Sequence, residues 1–401
     1  ILVIDIGGTN VKVLATGQKE RRRLPSGPKM TPRRMVAGVK KLVADWEYDA
    51  VSIGYPGRVR DNQPVAEPQW PQRIQGFAFS PYHSGQDAVA GDFPSIEQID
   101  GDLVLLKDRT RSIRTYTTDS TIGEVPKLAQ KHQIKVALGA WIDARFAHNA
   151  TEIERAIRLA RRHDNVIRLI VGNEVILRGD IPLADLTAYL DKVRAAVKQP
   201  VSTAEPWHVW LRHPELAEHV DYLAVHMLPY WEGIPADASI GYIDSKVAEL
   251  EQAFPGKKIV LAEVGWPSNG RTREAAVASE SNEAMFLRRF LARAREQGYV
   301  YYLMEAFDQP WKAQSEGSVG AYWGVWNVDR EAKFPFKAPI VRIPEWRTLA
   351  AIAVALALLL FTVFSLDGRR LATSGRSFLA VVAYATTTTV VWVLYEYSQQ
   401  Y

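Results

Sequence analysis

Two glutamates stand where a carboxyl can do chemistry. Glu174 closes the apolar run 166–171 in the string Val171-Gly-Asn-Glu174, and Glu263 closes the run 258–262 in Ala262-Glu263-Val-Gly-Trp-Pro-Ser268. Charged residues at the ends of such runs are what a barrel of parallel strands presents at its functional face. Two carboxyls about 5 Å apart suit displacement at an acetal carbon with retention of configuration. One stays protonated and donates to the departing oxygen; the other, ionised, attacks and forms a covalent intermediate. Asn173, beside Glu174, is placed to hydrogen-bond a sugar 2-hydroxyl, a contact that strengthens at an oxocarbenium-like transition state. Spacing alone leaves a second reading open, because glutamates at strand ends also cap the next helix.

The elements that must hold these residues are legible as an alternation. Strand-like runs fall at 76–79, 112–116, 135–140, 166–171, 200–204, 222–225, 258–262 and 300–304. Between them lie helical periodicities such as Leu183, Leu186, Leu190, Val193 and Val197, spaced to lay one apolar stripe on a sheet. Eight strands alternating with helices predict an α/β fold, a (β/α)8 or TIM barrel, over residues 69–346. Glu174 and Glu263 then end the fourth and seventh strands, which face each other across the barrel mouth.

Composition removes several alternatives. With 49 Lys and Arg against 45 Asp and Glu, the net charge of +4 is too weak a bias for a nucleic-acid partner. The absence of cysteine excludes disulfides, thiolate metal sites and a cysteine nucleophile. His208 and His213 lack a carboxylate partner at ligand spacing, so neither a metal nor a cofactor is expected. Twelve Trp and sixteen Tyr supply planes on which sugar rings stack, or large cores.

The motifs in and after the runs resemble glycoside hydrolase family 17, the β-1,3-glucanase and glucanosyltransferase family. Val-Gly-Asn-Glu174 and Glu263-Val-Gly-Trp-Pro-Ser are similar to its acid/base and nucleophile signatures. Gly76-Phe-Ala-Phe-Ser-Pro-Tyr82 resembles its first strand and Ile113-Arg-Thr-Tyr116 its second. Val225-His-Met-Leu-Pro-Tyr-Trp231 resembles its sixth, and Glu305-Ala-Phe-Asp-Gln-Pro-Trp-Lys312 its eighth. The resemblance implies a retaining enzyme with Glu174 as acid/base and Glu263 as nucleophile. It implies sugar or nucleophile contacts at Tyr116, Tyr82, His226, Tyr230, Trp231, Trp266, Glu305, Asp308 and Trp311, with Lys312 and Glu316 in a supporting polar network. Glu205, after the fifth run, is a further candidate for substrate support. One departure stands out: many members carry an acid where this chain has Gln309. Water or a sugar hydroxyl can take the glycosyl group, so hydrolase and transglycosylase both remain, as does a non-catalytic glucan-binding barrel.

Two other segments flank the barrel. In the first, residues 1–68, a β-run Ile1–Ile6 and a second, Val11–Ala15, enclose Gly7, Gly8, Thr9 and Asn10, a turn whose N–H groups can approach a phosphate. The string Asp5-Ile-Gly-Gly-Thr-Asn-Val-Lys12, with Ser52-Ile-Gly-Tyr-Pro-Gly57, resembles the opening of the ROK sugar kinases, nearest the polyphosphate glucokinases. That implies an actin-like β-hairpin fragment in which Asp5, Gly7, Gly8 and Thr9 are vestigial phosphate contacts. The family's catalytic-base motif, second phosphate turn and sugar-binding half are not found, so the expectation is a fragment without glucose kinase activity; kinase activity is the alternative.

After the barrel, 348–365 and 377–395 are two uncharged apolar runs, each long enough to cross a roughly 30 Å hydrocarbon core. They predict a transmembrane hairpin over 347–396. Arg369, Arg370 and Arg376 between them place that loop in the cytoplasm and the barrel on the outer face. No basic leader opens the chain, which argues the other way. The overall form resembles bacterial envelope proteins that remodel β-glucans, implying a bacterial inner-membrane setting, β-glucan as ligand, and a β-glucan synthase or glycosyltransferase module as partner.

Overall fold

Apolar residues at every second position make the first strands, as in Leu2–Ile6 and Asn10–Ala15, whereas near-continuous buried runs such as Tyr222–Met227 make the parallel barrel. The structure, a computed structural model, describes residues 1–6, 10–26, 30–54, 58–60, 63–65, 68–337, 340, 345–366 and 373–400. It divides into two compact units, Ile1–Pro68 and Gln69–Tyr401.

In the first unit, β1 (Leu2–Ile6), β2 (Asn10–Ala15), β3 (Arg22–Pro25) and β4 (Val51–Gly54) form a sheet in the order β3-β2-β1-β4. β1 and β2 are antiparallel, with Leu2 opposite Ala15 and Ile6 opposite Val11. β1 and β4 are parallel. Leu2, Ile4, Val11, Val13 and Ala15 share one face and bury against Val39 of the helix α1 (Pro32–Leu42) and Val43, its C-cap. The Thr31 side chain accepts from the Arg34 N–H and satisfies one of that helix's unpaired donors. A short antiparallel pair, β5 (Arg58–Arg60) and β6 (Gln63–Val65), follows. Gly7, Gly8, Thr9 and Tyr55–Gly57 lie outside the described residues; Asp5 is exposed beside Lys12, 3.9 Å away.

The second unit contains all eight expected strands, closed into one parallel barrel. They are β7 (Ile74–Ala78), β8 (Thr110–Arg114), β9 (Lys135–Ala140), β10 (Val166–Asn173), β11 (Val201–Pro206), β12 (Tyr222–Met227), β13 (Lys258–Val264) and β14 (Val300–Leu303). Helices alternate with them: α2 (Ile96–Leu106), α3 (Val125–Lys131), α4 (Phe146–Arg162), the single turn α5 (Val175–Arg178), α6 (Leu183–Ala196), α7 (Trp207–Arg212), α8 (Ser239–Ala253) and α9 (Glu280–Gln297). Inward residues Ala137, Ile170, Ala204, Tyr222, Ala224, Val260, Ala262 and Tyr302 fill the barrel interior. The interior is therefore a packed core, and chemistry is left to its rim. Small residues make room for the large ones: a Cβ on Gly76 would lie 2.5 Å from the Tyr302 ring.

Beyond the barrel, a one-turn helix α10 (Ala313–Glu316) precedes two long apolar helices, α11 (Trp346–Leu366) and α12 (Thr373–Gln400). Both are long and apolar enough to cross a membrane, with spans at 346–364 and 373–395. They pack on each other, and the buried Thr387 hydroxyl donates to the Ala353 carbonyl at 3.1 Å. The arginines Arg369 and Arg370 of the intervening loop lie outside the described residues.

Candidate active site

Two irregularities in otherwise regular strands aim the glutamates. Along β12, Tyr222, Ala224 and His226 face inward by simple alternation. In β13, Val260 and Ala262 do the same, so Glu263 should face outward. It does not, because the register slips: Val225 pairs with Leu261 but His226 pairs with Glu263. That extra residue is a bulge, which turns Glu263 into the barrel mouth beside His226. β10 slips likewise, Ile170 pairing with Ser202 and Asn173 with Ala204. Gly172 takes up the bend at φ +86°, and Glu174 follows in the left-handed region at φ +55°. Both Asn173 and Glu174 reach the site as a result, where alternation would deliver one.

The two carboxyls meet at His226. Its Nδ1 is 2.8 Å from Glu174 Oε1 and its Nε2 3.5 Å from Glu263 Oε1. One ligand atom from each of the three residues falls within 4.8 Å of the others. Such a trio could ligate a cation, but the Arg114 guanidinium already occupies the Glu263 side of it, donating at 2.8 Å. Tyr116 donates its hydroxyl to the same Glu263 oxygen at 2.7 Å. Burial alone would push the Glu263 carboxyl up; the charges of His226 and Arg114, with the Tyr116 hydroxyl, outweigh it and hold the carboxyl below its ordinary range. Burial and the Glu263 charge push Tyr116 well up, so it remains a phenol and a donor.

Arg114 is the functional residue that sequence reasoning passed over. It is 1% exposed, and also donates to the Ala262 carbonyl and to Asn173 Oδ1. Its signal was present: Ser112, Arg114 and Tyr116 recur at period two, which puts a guanidinium on the inner face of a buried strand.

These groups open into a cleft of about 930 Å³. Tyr82, Tyr116, Asn173, Glu174, His226, Trp231, Glu263, Trp311, Lys312 and Glu316 line it, as expected from the motifs, and so do Trp141 and Trp207, which no motif singled out. Trp311 meets Tyr82 edge to face at 5.8 Å, and Trp231 stacks on Trp323 at 6.0 Å.

Four expected contacts sit elsewhere. Trp266 is fully buried, donating Nε1–H to the Val277 carbonyl and packing on Phe286. Tyr230 is buried against Trp266, and its hydroxyl donates to the Arg271 carbonyl. Glu305 lies behind the wall, held by Lys312 at 2.6 Å, with burial pushing its carboxyl up to about 7 against that neighbouring charge. Asp308 is occupied by Lys333 at 2.9 Å and by the Gly324 N–H. These side chains support the cleft without lining it. Gln309, the departure from the resemblance, is buried, and its amide is used at both ends. Its Nε2 donates to the Ser80 carbonyl at 2.6 Å, while its Oε1 accepts from Trp311 Nε1 at 2.8 Å. A carboxylate could not make the first of these bonds.

Against this geometry the comparisons are specific. A family model described as the BtgE/BtgC glycoside hydrolase domain matches residues 76–324. The probable family 17 glucosidase SCW4 of Saccharomyces cerevisiae is 28% identical over 259 residues, covering 63% of this chain and 65% of that protein. A glucan 1,3-beta-glucosidase of Schizosaccharomyces pombe is 30% identical over 253 residues, covering 58% of this chain and 78% of that one. The crystal structure of a family 17 β-1,3-glucanosyltransferase from Rhizomucor miehei matches with a TM-score of 0.58 at 28% identity, covering 66% of this chain and 98% of that one. An active-site mutant of that enzyme has been solved with laminaritriose. The chain thus spans just under two thirds of the length of the Saccharomyces relative.

Proposed function

The chain belongs to the BtgE/BtgC glycoside hydrolase domain family, within glycoside hydrolase family 17, and on that premise we propose that its barrel acts on β-1,3-glucan through a covalent glycosyl-enzyme. The observation that carries the reading is the meeting of Glu174 and Glu263 at His226, their ligand atoms within 4.8 Å. That separation fits direct attack by a carboxylate and leaves little room for a water between the two groups.

Each step follows from the contacts. Glu263, kept ionised by His226, Arg114 and Tyr116, attacks the anomeric carbon as the bond to the departing oxygen breaks. Glu174 gives its proton to that oxygen. Water or the hydroxyl of an acceptor sugar then attacks the same carbon, Glu174 takes the proton, and the bond to Glu263 breaks. Arg114 fixes the Asn173 amide by donating to its Oδ1, which turns the NH2 toward the sugar as a donor for the 2-hydroxyl. Trp141, Trp207, Trp231 and Trp311 give the cleft aromatic planes for successive glucose rings.

The test is a Glu263→Ala variant with laminari-oligosaccharides. Turnover is expected to vanish, and azide is expected to restore cleavage with inverted stereochemistry by taking the place of the carboxylate. A variant that stays near wild-type rates without azide would remove Glu263 from the role.

The setting is part of the same proposal. α11 and α12 anchor the barrel in a bacterial inner membrane, with the catalytic face outside the cytoplasm, where a glucan synthase or glycosyltransferase module can supply β-glucan; the length and apolar composition of the two helices, with mean hydropathy of 2.3 and 1.7 over the spans, support the anchor itself. Residues 69–346 are the catalytic unit, and residues 1–68 are a ROK-like fragment without kinase activity. A chain of residues 69–346 that is inactive while the full chain works, or glucose phosphorylation with polyphosphate by the full chain, would overturn those assignments.

A further inference from the structure

Glu174 sits at the N-cap of α5 in a left-handed conformation and makes no side-chain cap bond, because its carboxyl is turned to His226. The first N–H groups of α5 would then be left without acceptors. Glu205, at the end of the neighbouring strand β11, takes them instead. Its Oε1 accepts from the Ile176 N–H at 2.8 Å and its Oε2 from the Leu177 N–H at 3.3 Å. One residue earlier on the same strand, the Ala204 carbonyl accepts the Glu174 N–H at 2.7 Å. Glu205 is 0% exposed and does not line the cleft. The sequence placed it as a candidate for substrate support; the fold seats it behind the acid/base.

We propose that Glu205 is a positioning residue that holds the backbone turn carrying Glu174, capping α5 in place of the side chain that catalysis has withdrawn. A carboxylate suits the position because the two backbone donors meet different oxygens, Oε1 and Oε2; an amide would turn its NH2 to one of them. Burial pushes the Glu205 carboxyl up to about 7 against the two N–H bonds and His226, and those same N–H groups are what it accepts. Glu174 is held at φ +55°, a sparsely populated region for a residue with a side chain that persists where the surroundings over-determine it, and Glu205 joins the Ala204 carbonyl in that support.

The inference rests on Glu174 being the acid/base, and its test separates the two. Glu205→Gln and Glu205→Ala are compared with wild type and Glu174→Gln in the full chain, on laminari-oligosaccharides and on a dinitrophenyl β-laminaribioside. The natural substrate needs an acid for its poor leaving group; the aryl glycoside does not. Loosening the turn should lower kcat/KM, which reports the step that needs the acid, about tenfold or more on the natural substrate and less than about threefold on the aryl glycoside, the alanine variant being the more severe. A purely structural role would lower both substrates together through loss of folded enzyme. If Glu205→Ala fails to fold, Glu205→Gln decides the matter, since it keeps an acceptor for Ile176. Equal losses on both substrates, or none, in a folded Glu205→Gln enzyme overturn the proposal, provided Glu174→Gln shows the selective loss. If Glu174→Gln itself shows no selectivity, the acid/base reading fails and this inference falls with it.

Discussion

The Nδ1 of His226 lies 2.8 Å from Oε1 of Glu174. The other ring nitrogen lies 3.5 Å from Oε1 of Glu263, so one side chain touches both carboxyls. Replacing His226 by Ala is expected to lower kcat/KM on laminari-oligosaccharides by about 10²-fold, the scale of acid–base assistance. The pH profile should move as well. Glu263 is held below its ordinary value, so its ionised form is present at neutral pH and is lost as pH falls through its pKa. Removing the His226 charge takes away one cause of that lowering. The acid limb of the kcat/KM profile should therefore shift to higher pH. An unmoved limb would show that His226 does not set the Glu263 charge.

Arg114 bonds Glu263, the Ala262 carbonyl and Asn173 with one guanidinium. Lysine can carry the charge but not the fork, so Arg114→Lys should fold while losing much of kcat. Arg114→Met strands a buried carboxylate and should cost about 3–5 kcal/mol of stability, read by urea unfolding. Wild-type kcat in the lysine variant would leave the charge alone as sufficient.

Gln309→Glu restores the residue type the family resemblance leads one to expect, yet this structure predicts harm. A carboxylate there would face the Ser80 and Phe307 carbonyls, to which the amide now donates. The loss of those bonds should destabilise the fold by about 2–3 kcal/mol, with Trp311 in the cleft wall disturbed because its Nε1–H bonds the same side chain. A variant as stable as wild type would show that the amide's donors are dispensable.

What the sequence made legible follows from periodicity. Eight runs and their intervening stripes gave the closed barrel, and a glutamate ending the fourth and the seventh run gave the pair. What it hid follows from breaks in periodicity. The slips in β10 and β13 that aim Asn173, Glu174 and Glu263 depend on pairing between strands, which one chain read alone does not display. The same limit put Trp266 and Tyr230 in the cleft: a motif names residues that travel together, but not which of them face the ligand. Spacing could place Arg114 on an inner strand face and Glu205 at a strand end, but their partners lie 149 and 29 residues along the chain, and no local spacing encodes that pairing.

The two long apolar helices carry the last prediction, in which two physical signals compete. Arg369 and Arg370 lie between α11 and α12 and Arg376 in the first turn of α12, and positive charge resists transfer across the bilayer, so the segment of residues 366–376 should remain in the cytoplasm. Two spans, 346–364 and 373–395, then return the chain to its starting side, which puts the barrel outside. The first unit, if it were a working kinase, would need cytoplasmic nucleotide or polyphosphate and would pull the barrel inside. The loop charges act on the insertion step itself, whereas the kinase-like strings bear on insertion not at all, so the hairpin should decide. With a native export signal, protease added to spheroplasts is expected to digest the barrel while a tag within residues 366–376 stays protected. A protected barrel with an accessible loop would reverse the topology and take the enzyme away from extracytoplasmic glucan.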